Sequence, residues 1–193
     1  MTRVLCVASH PDDEILGVGG TLLRHKAAGD HVVAVLTHRC RDESDAESQE
    51  AERRMGIRYD RLYRTGFRVE DAIALHRPDI VYIHSRADLH HDHQDALQRA
   101  LVACRPQSGV RAIYAFETPS ATDWSGVVFD PRRFVDISET LEDKLEAMEA
   151  YASELREHPH PRSIDALATR ADYWGQRAGV GWAEAFEVIR ETW

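Results

Sequence analysis

Cysteine is scarce in this 193-residue chain. There are three, Cys6, Cys40 and Cys104, an odd number with no CxxC spacing. Nothing here makes a disulfide framework. Cys6 and Cys104 lie in apolar stretches and read as small buried hydrophobes. No long apolar run is present to span a bilayer, and no leader segment precedes the first apolar stretch, so membrane insertion is not expected. The expected compartment is a reducing cytoplasm. Positive charge is also short: 24 Lys and Arg stand against 33 Asp and Glu, for a net charge of −9. That argues against a nucleic-acid or anionic-membrane partner held by general electrostatics. Repeats, low-complexity segments and obvious domain boundaries are lacking, so residues 1–193 are expected to form one domain with a real core. A dinucleotide fingerprint is missing too. Gly17, Gly19 and Gly20 would need a further glycine at Leu22, and should precede the helix rather than sit in it. They read as permitting close packing or close substrate approach.

What is present is concentrated chemistry. A short apolar run from Val4 to Ala8 reads as a buried strand. His10, Asp12, Asp13 and Glu14 then crowd around Pro11, which cannot continue a central ladder. In an open α/β sheet, ligands bind in the crevice beyond the carboxyl end of a strand. Taken alone, the cluster reads equally as a metal site or as a polar turn before an acidic helix start. A second cluster separates the two readings. His90-His91-Asp92-His93 follows the apolar run 80–83 and opens another helix. His93 shares a helix face with Leu97, Ala100 and Cys104, so it should point inward.

The remaining pattern alternates strand and helix. Strands are expected over 3–9, 31–36, 61–63, 80–83, 111–116 and 183–189. Helices are expected over 14–28, 44–55, 69–76, 92–104 and 164–174. Ser44 and Glu47 make a capping box for the second helix. Ile137, Leu141, Leu145, Met148, Ala152 and Leu155 line one face of an expected long helix docking on the sheet. His158-Pro159-His160-Pro161 reads as a solvated linker turn. The fold class is therefore α/β, a doubly wound, mostly parallel, Rossmann-like sheet with helices on both faces. Right-handed crossovers would bring the ends of the first strand and the 80–83 strand to one edge, where the two clusters can meet.

With both clusters in view, the sequence resembles the LmbE/PIG-L family of zinc-dependent N-deacetylases. The family's Ala-His-Pro-Asp-Asp-Glu segment reads Ser9-His10-Pro11-Asp12-Asp13-Glu14 here, and its His-x-Asp-His segment reads His90-His91-Asp92-His93. The likeness extends to Gly19-Gly20-Thr21, the 117–120 segment, the 134–144 stretch and the 181–186 terminus. It implies an LmbE-like fold and a Zn2+ ion held by His10, Asp13 and His93, with a position left for water. It implies Asp12 as general base, and His90 as oxyanion donor or as acid toward the departing amine. Asp92 would hold a histidine in the useful tautomer. Glu14 reads as structural or catalytic, and His91, the variable position, as a surface or pocket-rim residue. Where many members carry small residues after the second strand, this chain has His38-Arg39-Cys40-Arg41. That loop either narrows the pocket and meets a substrate anion, or is solvated.

The implied activity is removal of an N-acetyl group from a small amino sugar or its conjugate. Two rivals stand beside it. One is an amidase for a non-sugar metabolite, such as a thiol conjugate or acylated antibiotic. The other is a non-catalytic metal- or carbohydrate-binding protein, against which the intact Asp12 and His90 speak.

Overall fold

The computed structural model describes residues 1–39 and 44–192. In chain order the elements are β1 (Arg3–Ala8), α1 (Asp13–Ala27), β2 (His31–Leu36), α2 (Ser44–Met55), β3 (Arg58–Arg61), α3 (Leu62–Thr65), α4 (Val69–His76) and β4 (Ile80–His84). They continue with α5 (His91–Ala103), β5 (Ala112–Phe116), β6 (Arg133–Asp136), α6 (Leu141–Met148), α7 (Ile164–Ala178) and β7 (Ala183–Glu191). The seven strands form one sheet in the order β3-β2-β1-β4-β5-β7-β6. The first five are parallel; β7 runs antiparallel between β5 and β6. The expected doubly wound, mostly parallel sheet is borne out.

The strands are buried on both faces because their apolar residues feed two cores. Val4, Cys6 and Ala8 of β1 join one cluster with Ile15, Leu22 and Met148. Leu5 and Val7 join the other with Ile73, Leu97 and Val110. This is the period of two that a pleated strand imposes. Cys6 and Cys104 sit free in these cores, and burial pushes the Cys104 thiol up to about 12. Gly17 is needed for close packing: a Cβ there would stand 2.2 Å from the Phe116 ring. Among the described residues, no helix is long and apolar enough to cross a membrane.

Three expectations need correction. The expected long helix through residue 155 stops at Met148. Beyond it, Ala150 and Tyr151 bond to carbonyls three residues back, and the Glu47 carboxylate takes the Ser153 N–H at 2.9 Å and hydroxyl at 2.6 Å. Tertiary partners override the apolar stripe. Glu47 thus works across the fold, while the Ser44 side chain of the expected capping box lies outside the described residues. The strand expected over 61–63 lies at Arg58–Arg61, with α3 beginning at Leu62. The edge strand β6 was not expected, because four half-buried residues carry no clear period.

The helix carrying the first cluster is tied to the end of the chain. The Glu184 carboxylate accepts the Gly20 and Thr21 N–H groups at 3.0 and 2.8 Å. Lys144 donates to Glu184 at 2.6 Å and to the Leu16 carbonyl at 3.1 Å. Both charges are buried, and each is satisfied by the other and by the helix backbone.

Candidate metal and hydrolytic centre

Because β1 and β4 are neighbours, the two clusters meet beyond their carboxyl ends, where the strand order reverses. The turn after β1 is strained. Asp12 has φ 111°, a backbone conformation that a non-glycine residue holds only when its surroundings enforce it. Those surroundings are visible. Glu14 Oε2 accepts the Asp12 N–H at 3.1 Å, and Glu14 Oε1 accepts the hydroxyls of Tyr59 and Tyr151, each at 2.9 Å. Burial raises the Glu14 carboxyl to about 7, against the pull of the two tyrosines. Of the two readings of Glu14, this geometry is the structural one.

The two aspartates side by side are pushed apart. Burial, then the neighbouring Asp13 charge, raises Asp12 well above the usual carboxylate range, although Arg162 opposes the shift from 3.3 Å. Burial works the same way on Asp13, but His93 and His10 outweigh it and hold that carboxyl well below its ordinary value. Asp13 Oδ2 lies 3.2 Å from His93 Nε2 and 3.4 Å from His10 Nδ1. Asp13 Oδ1 is buried with no hydrogen-bond partner.

Among the described residues, two groups of potential ligands have donor atoms within 4.8 Å of one another: His10, His90 and His93, and Asp13, His84 and His93. Hydrogen bonds sort them. His84 Nε2 accepts the Ser9 N–H at 2.9 Å, so its proton is on Nδ1, which faces Thr118 Oγ1 at 3.1 Å. His90 Nδ1 accepts the Asp92 N–H at 3.2 Å, capping α5 and leaving its proton on Nε2. Both rings therefore have their one lone pair in use. Burial lowers the pKa of both and keeps them neutral. His93 and His10 differ. His93 Nδ1 faces Asp88 Oδ2 at 2.8 Å, and His10 Nε2 faces Asp92 Oδ2 at 2.9 Å. A carboxylate taking one ring N–H frees the other nitrogen to ligate. The nitrogens so freed, His93 Nε2 and His10 Nδ1, are the two nearest Asp13.

Every predicted site residue thus reaches the centre. His93 is buried, Asp92 half-buried and His90 exposed at the mouth. His91 is exposed, as expected of the variable position. His38 joins the rim, its ring 5.9 Å from that of His10 and its Nε2 3.3 Å from Asp95. Cys40 and Arg41 of that loop lie outside the described residues. Sequence reasoning missed His84, Asp88, Arg162 and Glu154. The first two had a signal: a polar residue ending a buried strand, and a carboxylate five residues before His93. Arg162 and Glu154 had none, since only the fold brings Arg162 to Asp12 and Glu154 to within 3.4 Å of Arg162. The turn at 158–161 is more than a linker, for His160 Nδ1 accepts the Arg162 N–H at 3.0 Å.

The sheet order places this polar centre at its switch point. The resemblance to the LmbE/PIG-L family holds: residues 5–64 match the family model PIG-L, GlcNAc-PI de-N-acetylase, a stretch holding the first cluster and ending before the second. The chain is similar to the diacetylchitobiose deacetylase of Thermococcus kodakarensis, at 26% identity over 97% of this chain and 83% of that one. It is similar to the conserved protein TT1542 from Thermus thermophilus, with a TM-score of 0.79 and 26% identity, covering 100% of this chain and 97% of that one. The 4-carboxy-2-hydroxymuconate hydratase GalB from Pseudomonas putida shares the fold, with a TM-score of 0.78 and 19% identity over 100% of this chain and 98% of that one.

Proposed function

We propose that the protein is a metal-dependent N-deacetylase acting on an amino sugar or its conjugate, with His10, Asp13 and His93 as ligands and zinc as the metal. The observation that carries the reading is the buried Asp13 Oδ1 without a partner, flanked by two histidines whose far nitrogens are held by carboxylates. The two-nitrogen, one-carboxylate set leaves room for water and fits a catalytic rather than a closed structural site. Bound there, zinc polarises an amide carbonyl and lowers the pKa of water. The similarity to diacetylchitobiose deacetylase supports the amide and the sugar.

The chain's own residues then divide the proton work. Asp12, its carboxyl raised by burial above the ordinary range, takes a proton from the attacking water as the water oxygen bonds to the carbonyl carbon. His90 donates its Nε2–H to the carbonyl oxygen as charge gathers there. A neutral ring with Nδ1 engaged in the helix cap has no second proton to give, so this geometry favours the oxyanion role. Asp12 passes the water's proton to the departing nitrogen as the C–N bond breaks. Asp92 and Asp88 hold His10 and His93 in their ligating tautomers. The free buried cysteines accord with a cytoplasmic location.

The test is metal content and acetate release measured together on wild type and Asp13→Ala. The expected result is about one zinc per wild-type chain, acetate released from N-acetylglucosamine compounds, and both lost in the variant. Bound metal without acetate from any sugar amide would favour a non-sugar amide or a binding protein. A wild type that takes up no metal even from added zinc would overturn the ligand assignment.

A further inference from the structure

Linked to the centre through His160 and Arg162 is an aromatic side chain that the chemistry above does not use. Trp124 is 61% exposed, an expensive place for an indole. Its ring nonetheless has a partner. It meets the His160 ring edge to face, with centroids 5.4 Å apart and planes at 87°. His160 is held in turn through Nδ1 by the Arg162 N–H, and the Arg162 guanidinium reaches Asp12 Oδ2 at 3.3 Å. On the other side, the preceding residue is clamped. Arg170 Nη2 donates to both Asp123 oxygens, at 2.7 and 2.8 Å, and Asp123 Oδ2 also accepts the Ser120 N–H at 2.8 Å. The same loop borders the second motif, because the Leu89 N–H donates to the Ala121 carbonyl beside His90. An exposed aromatic ring braced against His160, and through Arg162 connected to Asp12, offers a recognition surface. Its apolar face suits the C–H face of a pyranose, whose hydroxyls stay free for solvent and neighbouring polar groups.

We propose that Trp124 is the stacking platform for the sugar ring of the substrate, and that the His160–Arg162 link fixes that platform relative to Asp12. Trp124 is then a specificity-determining residue: it sets which amides bind without taking part in bond breaking. The proposal rests on the deacetylase reading for its substrate. The indole also supplies a binding signal that does not depend on turnover.

The experiment compares wild type, Trp124→Ala and Trp124→Phe on an N-acetylglucosamine glycoside and on N-acetylethanolamine, an amide with no ring. Trp124→Ala is expected to raise KM for the glycoside roughly tenfold, with kcat within about twofold. KM for N-acetylethanolamine stays unchanged, and Trp124→Phe restores most of the glycoside affinity. A merely structural role would lower kcat on both amides or escape rescue by phenylalanine, and would overturn the proposal. So would an unchanged glycoside KM in Trp124→Ala. Tryptophan fluorescence is titrated in parallel with N-acetylglucosamine. A saturable change in wild type that disappears in Trp124→Phe supports the platform. If wild type releases no acetate from any amide, the deacetylase reading falls, and this titration still decides: no change in wild type overturns the platform as well.

Discussion

The turn after β1 and the turn before α5 both deliver histidine and carboxylate to one centre, yet they are built differently. In the first, Asp12, Asp13 and Glu14 are all buried, and the backbone at Asp12 is held at positive φ by Glu14 and two tyrosines. In the second, His90 and His91 are exposed and only His93 points into the core. Burial raises both Asp12 and Asp13; the His93 and His10 rings beside Asp13 are what separate the two. Opposite shifts on adjacent carboxylates suit the two tasks proposed for them, holding a cation and moving a proton. The open turn instead offers a neutral N–H donor at the mouth, fixed by a helix cap rather than by burial.

Removing one group at a time sharpens that contrast. The largest effect is expected from Asp12→Asn, which should cut acetate release by roughly a hundred- to ten-thousandfold with metal content unchanged. Metal lost along with activity would mean that both sealed carboxylates ligate, and the division within the first turn would break. His90→Ala should cost roughly a hundred- to thousandfold in kcat, again with metal retained. An unaffected kcat would remove the open turn from the chemistry. Asp88→Asn should weaken metal binding by roughly ten- to hundredfold in a competition titration, because His93 loses the partner that sets its tautomer. Unaltered affinity would show that burial alone orients His93. His91→Ala should leave activity within about twofold. A larger loss would make the exposed half of the second turn a substrate contact.

The parts of this centre that could be read in the sequence were those written in contiguous residues. His10 through Glu14 and His90 through His93 each announce themselves by crowding polar groups at the end of an apolar run. The neighbouring of β1 and β4 follows from crossover handedness, so their meeting was foreseeable. Local patterning failed where distant partners decide. The stripe from Ile137 to Leu155 has helical spacing, yet Glu47 and Glu14 draw Ser153 and Tyr151 out of the helix. Arg162 lies 150 positions from Asp12 and carries no local mark of its role. β6 is too short and too evenly half-buried to show a period.

The Lys144–Glu184 pair has a consequence for synthesis. The five residues proposed for metal and proton work, His10, Asp12, Asp13, His90 and His93, have left the ribosome once His93 has emerged. The groups that hold their scaffold come later: Lys144 and Glu184 on the α1 backbone, Tyr151 on Glu14, Arg162 on Asp12. A nascent chain that has just passed His93 therefore carries the proposed ligands on an unbraced helix. The brace on α1 is complete only with β7 between β5 and β6 and Glu184 under α1.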